Sequence, residues 1–362
     1  MPKTIAIALS GGIDSLVSAA LLKEQGHQLI GIHFLTGYES IPTNRFSSSF
    51  SKDALIDLIG LAQERLNPMV DQLDIPLYVI DLRTEFKSRV VDYFIRTYQE
   101  GRTPNPCLQC NPSIKFTLLL KKAKRYGAAH IATGHYAQIC TGSNGRMHLI
   151  RGVDPGKDQS YFLARLTQGQ LKSAVLPLGR YTKDQTRQMA KEMGLRPASN
   201  QESQDICFIK NGTYGEFLAT QPGFSAKPGP IVDLDGNELG QHHGLHLFTI
   251  GQRRGINCPA AEPYYVIRIE PSQNRLVVGR KNDLSVQSFV VNQINWIAPP
   301  PLESIDISVR VRYRHQAVPA TLLPLDADRA EIVFKTPQNA VTPGQGAVFY
   351  DHDEVLGGGW IQ

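Results

Sequence analysis

Three short segments of this chain carry side chains able to do phosphate or sulfur chemistry. Ser10-Gly11-Gly12-Ile13-Asp14-Ser15 follows a short apolar run and opens an amphipathic stretch. Its glycines allow a tight turn that brings backbone N–H groups against an anion, and a helix N-terminus adds a favourable dipole. No Gly-Lys-Ser/Thr follows, so this is not a Walker loop, and it is not the dinucleotide Gly-x-Gly-x-x-Gly. The glycines alone fit a plain strand-to-helix turn capped by Asp14 or Ser15 equally well. The second segment is Cys107-Leu108-Gln109-Cys110, preceded by Thr103-Pro104-Asn105-Pro106. A Cys-x-x-Cys is a redox pair, half a zinc site or a pair of iron–sulfur ligands. A zinc ribbon needs a second pair, and the sequence has none. Cys207, in Ser203-Gln204-Asp205-Ile206-Cys207-Phe208-Ile209, taken alone reads as a small buried apolar residue.

These segments need elements to hold them. Thr4 to Leu9, His27 to Phe34, Leu77 to Leu82 and Ala128 to Thr133 read as strands. Asp14 to Gln25, Ala54 to Leu73 and Phe116 to Tyr126 have helical spacing. Strands alternating with helices imply an α/β fold, a parallel sheet with helices on both faces. Gly37 to Lys52, rich in Ser and without periodicity, reads as a loop. The prolines around Asn105 stiffen a second loop carrying the cysteine pair. Beyond about residue 208 the strands follow one another without helices. Asp235-Gly236 signals a hairpin, Tyr264 to Ile269 and Arg275 to Val278 are strands, and short strands continue from Val290. That pattern predicts a small β-rich middle domain and a C-terminal β-barrel or sandwich. The expected domains are 1–208, 209–283 and 284–362.

Composition excludes several classes. The chain has 362 residues, 41% hydrophobic and 20% charged, with 31 Gly and 23 Pro, too few for a disordered or collagen-like chain. A net charge of +5 permits an anionic partner without requiring one. No apolar run approaches the roughly 18 residues needed to span a bilayer, and the N-terminal apolar stretch is too short for a signal peptide. Five cysteines are an odd set for a secreted disulfide framework and suit reduced thiols. The expectation is a cytoplasmic protein with no membrane partner. In Ser308 to Arg314 the period of two places Arg310, Arg312 and Arg314 on one strand face, a row suited to nucleic-acid phosphates. Gln252-Arg253-Arg254 is a weaker basic patch.

The whole of Ser10 to Ser15 resembles the PP-loop of ATP pyrophosphatases, which grips released pyrophosphate. With the two cysteine segments, Gly251-Gln252-Arg253-Arg254-Gly255, Val311-Arg312-Tyr313-Arg314, Thr342-Pro343-Gly344-Gln345 and the closing Leu356 to Ile361, the chain resembles the tRNA-uridine 2-sulfurtransferases, the MnmA-type thiouridylases. The motifs stand in the same order over nearly the whole length.

The resemblance implies an enzyme that adenylates the C2 oxygen of the wobble uridine of tRNA with ATP and Mg²⁺, then exchanges it for sulfur. The tRNAs implied are those for lysine, glutamate and glutamine. Cys207 would carry the sulfur as a persulfide from a cysteine desulfurase or a sulfur-relay protein. Cys110 would be the nucleophile, closing a Cys110–Cys207 disulfide. Both would need a locally positive site that lowers their pKa. Ala8, Leu9, Ser10, Gly11, Gly12, Ile13, Asp14, Ser15, Phe34 and Gly134 would bind ATP. Asn105, Pro106 and Cys107 would surround the target base. His135, Lys157, Asp158, Gln159, Arg312, Tyr313 and Gln345 would touch tRNA, although Gln345 could simply sit in its Pro-Gly turn.

The chain departs from that family at three places. Phe34 stands where the family usually has Met. Cys107 stands where some members have Asp, leaving Cys107, Cys110 and Cys207 as possible ligands for an iron–sulfur cluster, the alternative sulfur carrier. The text from Thr36 to about Leu73 does not follow the family and assigns no role. A ligase of the same superfamily would not need the paired cysteines, and a non-catalytic RNA-binding protein would not need the pyrophosphate loop.

Overall fold

The computed structural model describes residues 2–39, 51–199, 206–210 and 212–362. Most of the loop expected over 37–52 lies outside the described residues, as do residues 203–205 beside Cys207. Chain contacts divide the protein into two compact units. One comprises Met1–Val90, Cys107–Lys210 and Asp353–Leu356, the other Val91–Pro106, Asn211–His352 and Gly357–Gln362.

The first unit is built on a parallel sheet of β1 (Thr4–Ala8), β2 (Gln28–Leu35), β3 (Leu77–Asp81), β4 (His130–Ala132) and β7 (Ala174–Val175), in the order β3-β2-β1-β4-β7. Ile5 of β1 pairs with Leu29 on one side and His130 on the other. The chain winds outward from β1 to β3 and returns on the other side at β4. The switch point between β1 and β4 opens a crevice where sheets of this kind bind ligands. Helices α1 (Ile13–Glu24) and α2 (Lys52–Asp71) pack on the same core. In α2 the buried residues Ala54, Leu58, Ala62, Leu66 and Met69 recur every three or four positions, one stripe of a helix. Leu66, Met69 and Val70 meet Ile5, Ile7 and Leu16 there. Each such aliphatic side chain contributes about 1.5–3 kcal/mol by leaving water. A hairpin of β5 (Ala137–Thr141) and β6 (Met147–Arg151) follows β4.

The helix expected from Phe116 starts ten residues earlier. Pro106–Cys110 is α-helical, Asn111–Leu119 winds more loosely with i→i+5 bonds, and the run ends at Gly127 with φ +83°. Pro106 suits a first helical turn because the N–H it lacks would have no partner there. The cysteine pair therefore sits on the first turn of a helix rather than in a loop.

In the second unit β8 (Gly229–Val232) and β9 (Glu238–His242) form the expected hairpin. The Asp233 carboxylate shapes its turn by accepting from the amides of Asp235 and Asn237 at 3.0 and 2.9 Å. With β10 (Tyr265–Glu270) and β11 (Arg275–Gly279) they make a four-stranded sheet in the order β10-β11-β8-β9. Ile231, Phe248, Val266 and Leu276 lie in its core. The remaining strands are β12 (Ser285–Trp296), β13 (Ile305–Arg310), β14 (Val318–Pro324), β15 (Ala330–Asn339), β16 (Gly346–Asp351) and β17 (Glu354–Ile361). They run β12-β15-β14-β13-β16-β17, and β12 also pairs with β17, so the six close into a barrel. Gly357 and Gly359 permit the closure. A Cβ on either would stand 2.5 Å from a β12 carbonyl, that of Asn295 or Asn292. The α/β domain followed by β domains, the last a barrel, is the architecture the sequence predicts.

Candidate nucleotide and thiol site

The glycine loop leaves β1 with Leu9 N–H donating to Ile32 O at 2.9 Å. Gly11 turns at φ +95°, and Gly12 is the N-cap of α1. Asp14 and Ser15, expected as possible caps, lie inside the first turn instead. With glycine as the cap, no side chain among the described residues caps the first turn of α1, which is the arrangement that receives an anion. The serines hold the loop's shape. Ser15 Oγ donates to Gly12 O at 2.9 Å and accepts from Ser10 N–H at 3.3 Å, while Ser10 Oγ accepts from Gly12 N–H at 3.4 Å.

Two side chains hold the Asp14 carboxylate through three hydrogen bonds. Lys183 Nζ lies 2.7 and 2.8 Å from its two carboxylate oxygens, and Tyr136 Oη donates to Oδ1 at 2.7 Å. Burial, with the Asp14 carboxylate beside it, pushes the Tyr136 phenol above its ordinary range, so it stays a donor. Tyr136 Oη also lies 3.0 Å from Thr186 Oγ1. Lys183 opens the helix Lys183–Glu192, whose start is fixed by a capping box between Thr182 and Gln185. Sequence reasoning missed Lys183. The capping box marks a helix start, but nothing local says that its next residue reaches Asp14. Gly134, after β4, lies so close to α1 that a Cβ would stand 2.9 Å from Asp14 backbone carbon. It stands just after β4, beside the switch point.

Phe34, next to last in β2, is half-buried, its ring centroid 6.4 Å from that of Phe86. Phe86 is 5.9 Å from Phe208, and Tyr38 completes the cluster at 5.9 Å from Phe208. The aromatic group joins the end of β2 to the neighbour of Cys207.

All five cysteines are free thiols. Cys110 is buried, while Cys107 and Cys207 reach the surface. The thiols of Cys107 and Cys207 lie close enough to Cys110 for their charges to act on it, and Lys115 acts on all three. The expected low thiol pKa is not what the structure shows. Burial pushes Cys110 up to about 12; Cys207 and Cys107 keep an edge at the surface, yet the protein crowded around their thiols raises both by desolvation, Cys207 to about 11. Lys115 pulls the other way in each case, but one ammonium does not offset the loss of water. Lys115 is a second residue that sequence reasoning missed. It lies five positions after Cys110, in the loosely wound stretch. Among the described residues no three His, Cys, Asp or Glu side chains converge as a metal requires. Cys107, Cys110 and Cys207 as arranged do not fit the expected iron–sulfur alternative, and the loop's carboxylate, Asp14, is engaged by Lys183.

His135 follows Gly134, half-buried, with its Nδ1 2.6 Å from Thr133 Oγ1. Burial, helped by Lys115, holds its pKa well below the ordinary imidazole value, so the ring is neutral. Of the neighbouring trio, Asp158 is 4% exposed and is used internally. It accepts from Gly152 N–H at 3.1 Å and Ser160 N–H at 3.0 Å. Gln159 Oε1 accepts from Tyr136 N–H at 3.0 Å. Asp158 is buried and bonded within the loop, while Gln159 and Lys157 are half-buried.

In the second unit Asn105 and Pro106 are buried. Asn105 N–H donates to Tyr93 Oη at 3.3 Å, and the Tyr93 ring centroid lies 5.5 Å from that of Trp360. Gln345 Nε2 donates to the carbonyls of Thr103 at 3.2 Å and Pro104 at 3.0 Å. Its side chain holds the segment that leads into the cysteine helix, so the turn reading of Gln345 fits the contacts better than a direct contact to a base.

The arginine row is not a row. β13 ends at Arg310, and Arg312 to Arg314 lie in the following turn. Arg310 Nε donates to His315 O at 3.1 Å, its terminal nitrogen reaches Tyr313 O, and its guanidinium lies 5.6 Å from the Tyr313 ring centroid. Alternation cannot continue once the strand turns, so Arg310 closes the turn while Arg312 and Arg314 stay exposed. Tyr313 is half-buried.

Comparison with known proteins accounts for the whole chain. Residues 3–211 match the family described as tRNA methyl transferase HUP domain, 215–280 its PRC-barrel domain and 286–361 the aminomethyltransferase beta-barrel domain. The tRNA-specific 2-thiouridylase MnmA of Desulfosudis oleivorans is 48% identical over 358 residues, covering 99% of this chain and 94% of that one. Those of Geotalea uraniireducens and Magnetococcus marinus are 45% and 44% identical, each over 99% of this chain and over 95% and 99% of their own. With matches of this identity along its full length, the chain belongs to the tRNA-specific 2-thiouridylase family.

Proposed function

We propose that this protein is the sulfurtransferase that installs sulfur at C2 of a wobble uridine in tRNA, using ATP. Family membership carries the reading. Its structural support is one unit in which an uncapped helix N-terminus suited to phosphates accompanies Cys110 and the two thiols, Cys107 and Cys207, whose charges reach it.

The first step joins the uridine C2 oxygen to the α-phosphorus of ATP and expels pyrophosphate into the Ser10–Ser15 loop. Oxygen becomes part of a good leaving group, AMP. Ala8 and Leu9 place that loop, and Phe34 and Gly134 flank the adenine and ribose. Cys207, at the surface, receives a sulfur atom from a persulfide-bearing desulfurase or relay protein and becomes Cys207–S–SH. The terminal sulfur adds to C2 and AMP leaves. Cys110 attacks the inner Cys207 sulfur, which breaks the S–S bond, leaves sulfur on C2 and forms a Cys110–Cys207 disulfide. A thiol reductant then restores both thiols. Because both cysteines are protonated at rest, attack waits on deprotonation, which Lys115 favours. Asn105, Pro106 and Cys107 border the base. His135, Lys157, Arg312 and Tyr313 contact the RNA, with Asp158 and Gln159 holding the loop around Lys157 and Gln345 holding Thr103 and Pro104 before the cysteine helix.

Nucleoside mass spectrometry tests the reading. Unmodified tRNA is incubated with the protein, ATP, Mg²⁺ and a persulfide donor, beside Cys110→Ser and Cys207→Ser. The expected result is 2-thiouridine at the wobble position, lost in both variants. Adenylated RNA without thiolation in the parent protein would overturn the sulfur chemistry.

A further inference from the structure

Helix α2 belongs to the stretch whose sequence assigns no role, and it places a cation against the glycine loop. The Arg65 guanidinium carbon is 3.9 Å from where a Cβ on Gly11 would stand, beside Leu66 at 3.7 Å. A hydrogen-bonded path holds it there. His33 Nδ1 bonds to the Leu9 carbonyl at 2.7 Å, which makes that nitrogen the donor, and leaves Nε2 to accept from Arg65 at 3.4 Å. Arg65 is exposed and, among the described residues, has no carboxylate partner. Glu39, a nearby acid, is taken up by the Thr36 and Gly37 amides at 2.6 and 2.9 Å. His33, Arg65 and Lys210 line a cleft of about 550 Å³ with Leu35, Leu58 and Ala62 and the carboxylates Glu39 and Glu64. Burial lowers the His33 pKa, which keeps Nε2 an acceptor.

The glycine loop itself contains no cation, and Lys183, which reaches its Asp14, is paired with that carboxylate. A loop that takes pyrophosphate by backbone amides alone leaves several negative charges unbalanced, and a guanidinium is the group best shaped to meet them. We propose that Arg65, positioned by His33, is the phosphate-binding cation of the nucleotide site and selects ligands bearing a diphosphate or triphosphate. This rests on the nucleotide reading of the loop.

Calorimetry of the full-length protein with three probes, Mg–ATP, Mg–pyrophosphate and adenosine, tests it. Arg65→Met is expected to weaken ATP and pyrophosphate at least tenfold and leave adenosine within twofold. Arg65→Lys falls between, and His33→Asn, which keeps the donor to Leu9 but loses the acceptor, weakens the two phosphate ligands about threefold. Unchanged ATP and pyrophosphate binding in Arg65→Met overturns the proposal, as does an equal loss for all three probes. If the parent protein binds neither phosphate ligand, the nucleotide reading itself fails, a result distinct from a silent Arg65→Met.

Discussion

Lys183 and Asp14, 169 residues apart in the chain, meet at 2.7 and 2.8 Å. The lysine side chain is only 6% exposed, while the carboxylate keeps a third of its surface. The pair ties the N-terminus of the helix Lys183–Glu192 to the first turn of α1, directly beneath the glycine loop. Lys183→Met would leave Asp14 without its counter-charge. Breaking a fully buried pair costs about 3–5 kcal/mol, and the partial exposure of Asp14 reduces this to about 2 kcal/mol. Urea unfolding of Lys183→Met and of the double variant with Asp14→Asn measures it, with most of the loss recovered in the double variant.

The thiols should behave as weak acids. A raised pKa means the neutral form dominates at pH 7, and thiolate accumulates only as pH climbs towards about 11 for Cys207 and about 12 for Cys110. Burial of neutral thiols also favours the folded state below the ordinary thiol pKa, and that contribution is lost as pH rises through the folded values. Alkylation of Cys207 by iodoacetamide, followed by peptide mass spectrometry, should accelerate steadily from pH 7 to pH 10 without a plateau. Lys115→Met should slow it at every pH. A plateau near pH 7 would show that the site lowers the thiol pKa after all.

Gln345→Ala should loosen the approach to the cysteine helix. Two carbonyls, Thr103 O and Pro104 O, lose their side-chain donor, at about 1–2 kcal/mol in all. Hydrogen exchange at the Thr103 and Asn105 amides should speed up roughly tenfold. Exchange at β12 amides should be unchanged.

The arginines after β13 should separate by role. Arg312→Ala is expected to weaken tRNA binding and to reduce the magnitude of its salt slope by about one. Arg310→Ala should instead lower the melting temperature, because the His315 and Tyr313 carbonyls lose their donor. Filter binding across a salt series and thermal melts of both variants distinguish the two. Equal effects from both would restore the row of phosphate contacts that alternation suggested.

Much of this was legible from residue order. The glycine loop after β1, the alternating strands and helices, the Asp-Gly hairpin and the change to closely spaced β-strands depend on spacing, turn residues and glycine conformations, which act over a few neighbours. Order alone failed where a local pattern stops or continues for non-local reasons. The helix begins at Pro106 rather than Phe116, because a proline that stiffens a loop also starts a helix. Alternation runs through Arg314 in the sequence, whereas the strand ends at Arg310, where its guanidinium closes the turn. Cys110 was expected to ionise easily, and its burial, set by the packing around it, prevents that. Lys183 on Asp14, Arg65 beside Gly11 and Gln345 on Pro104 each join residues dozens to hundreds of positions apart. The sequence by itself determined which elements form and to which family they belong. Only the tertiary structure decided which charges meet and which thiols lose their water, because desolvation and ion pairing depend on distance in space, not on separation along the chain.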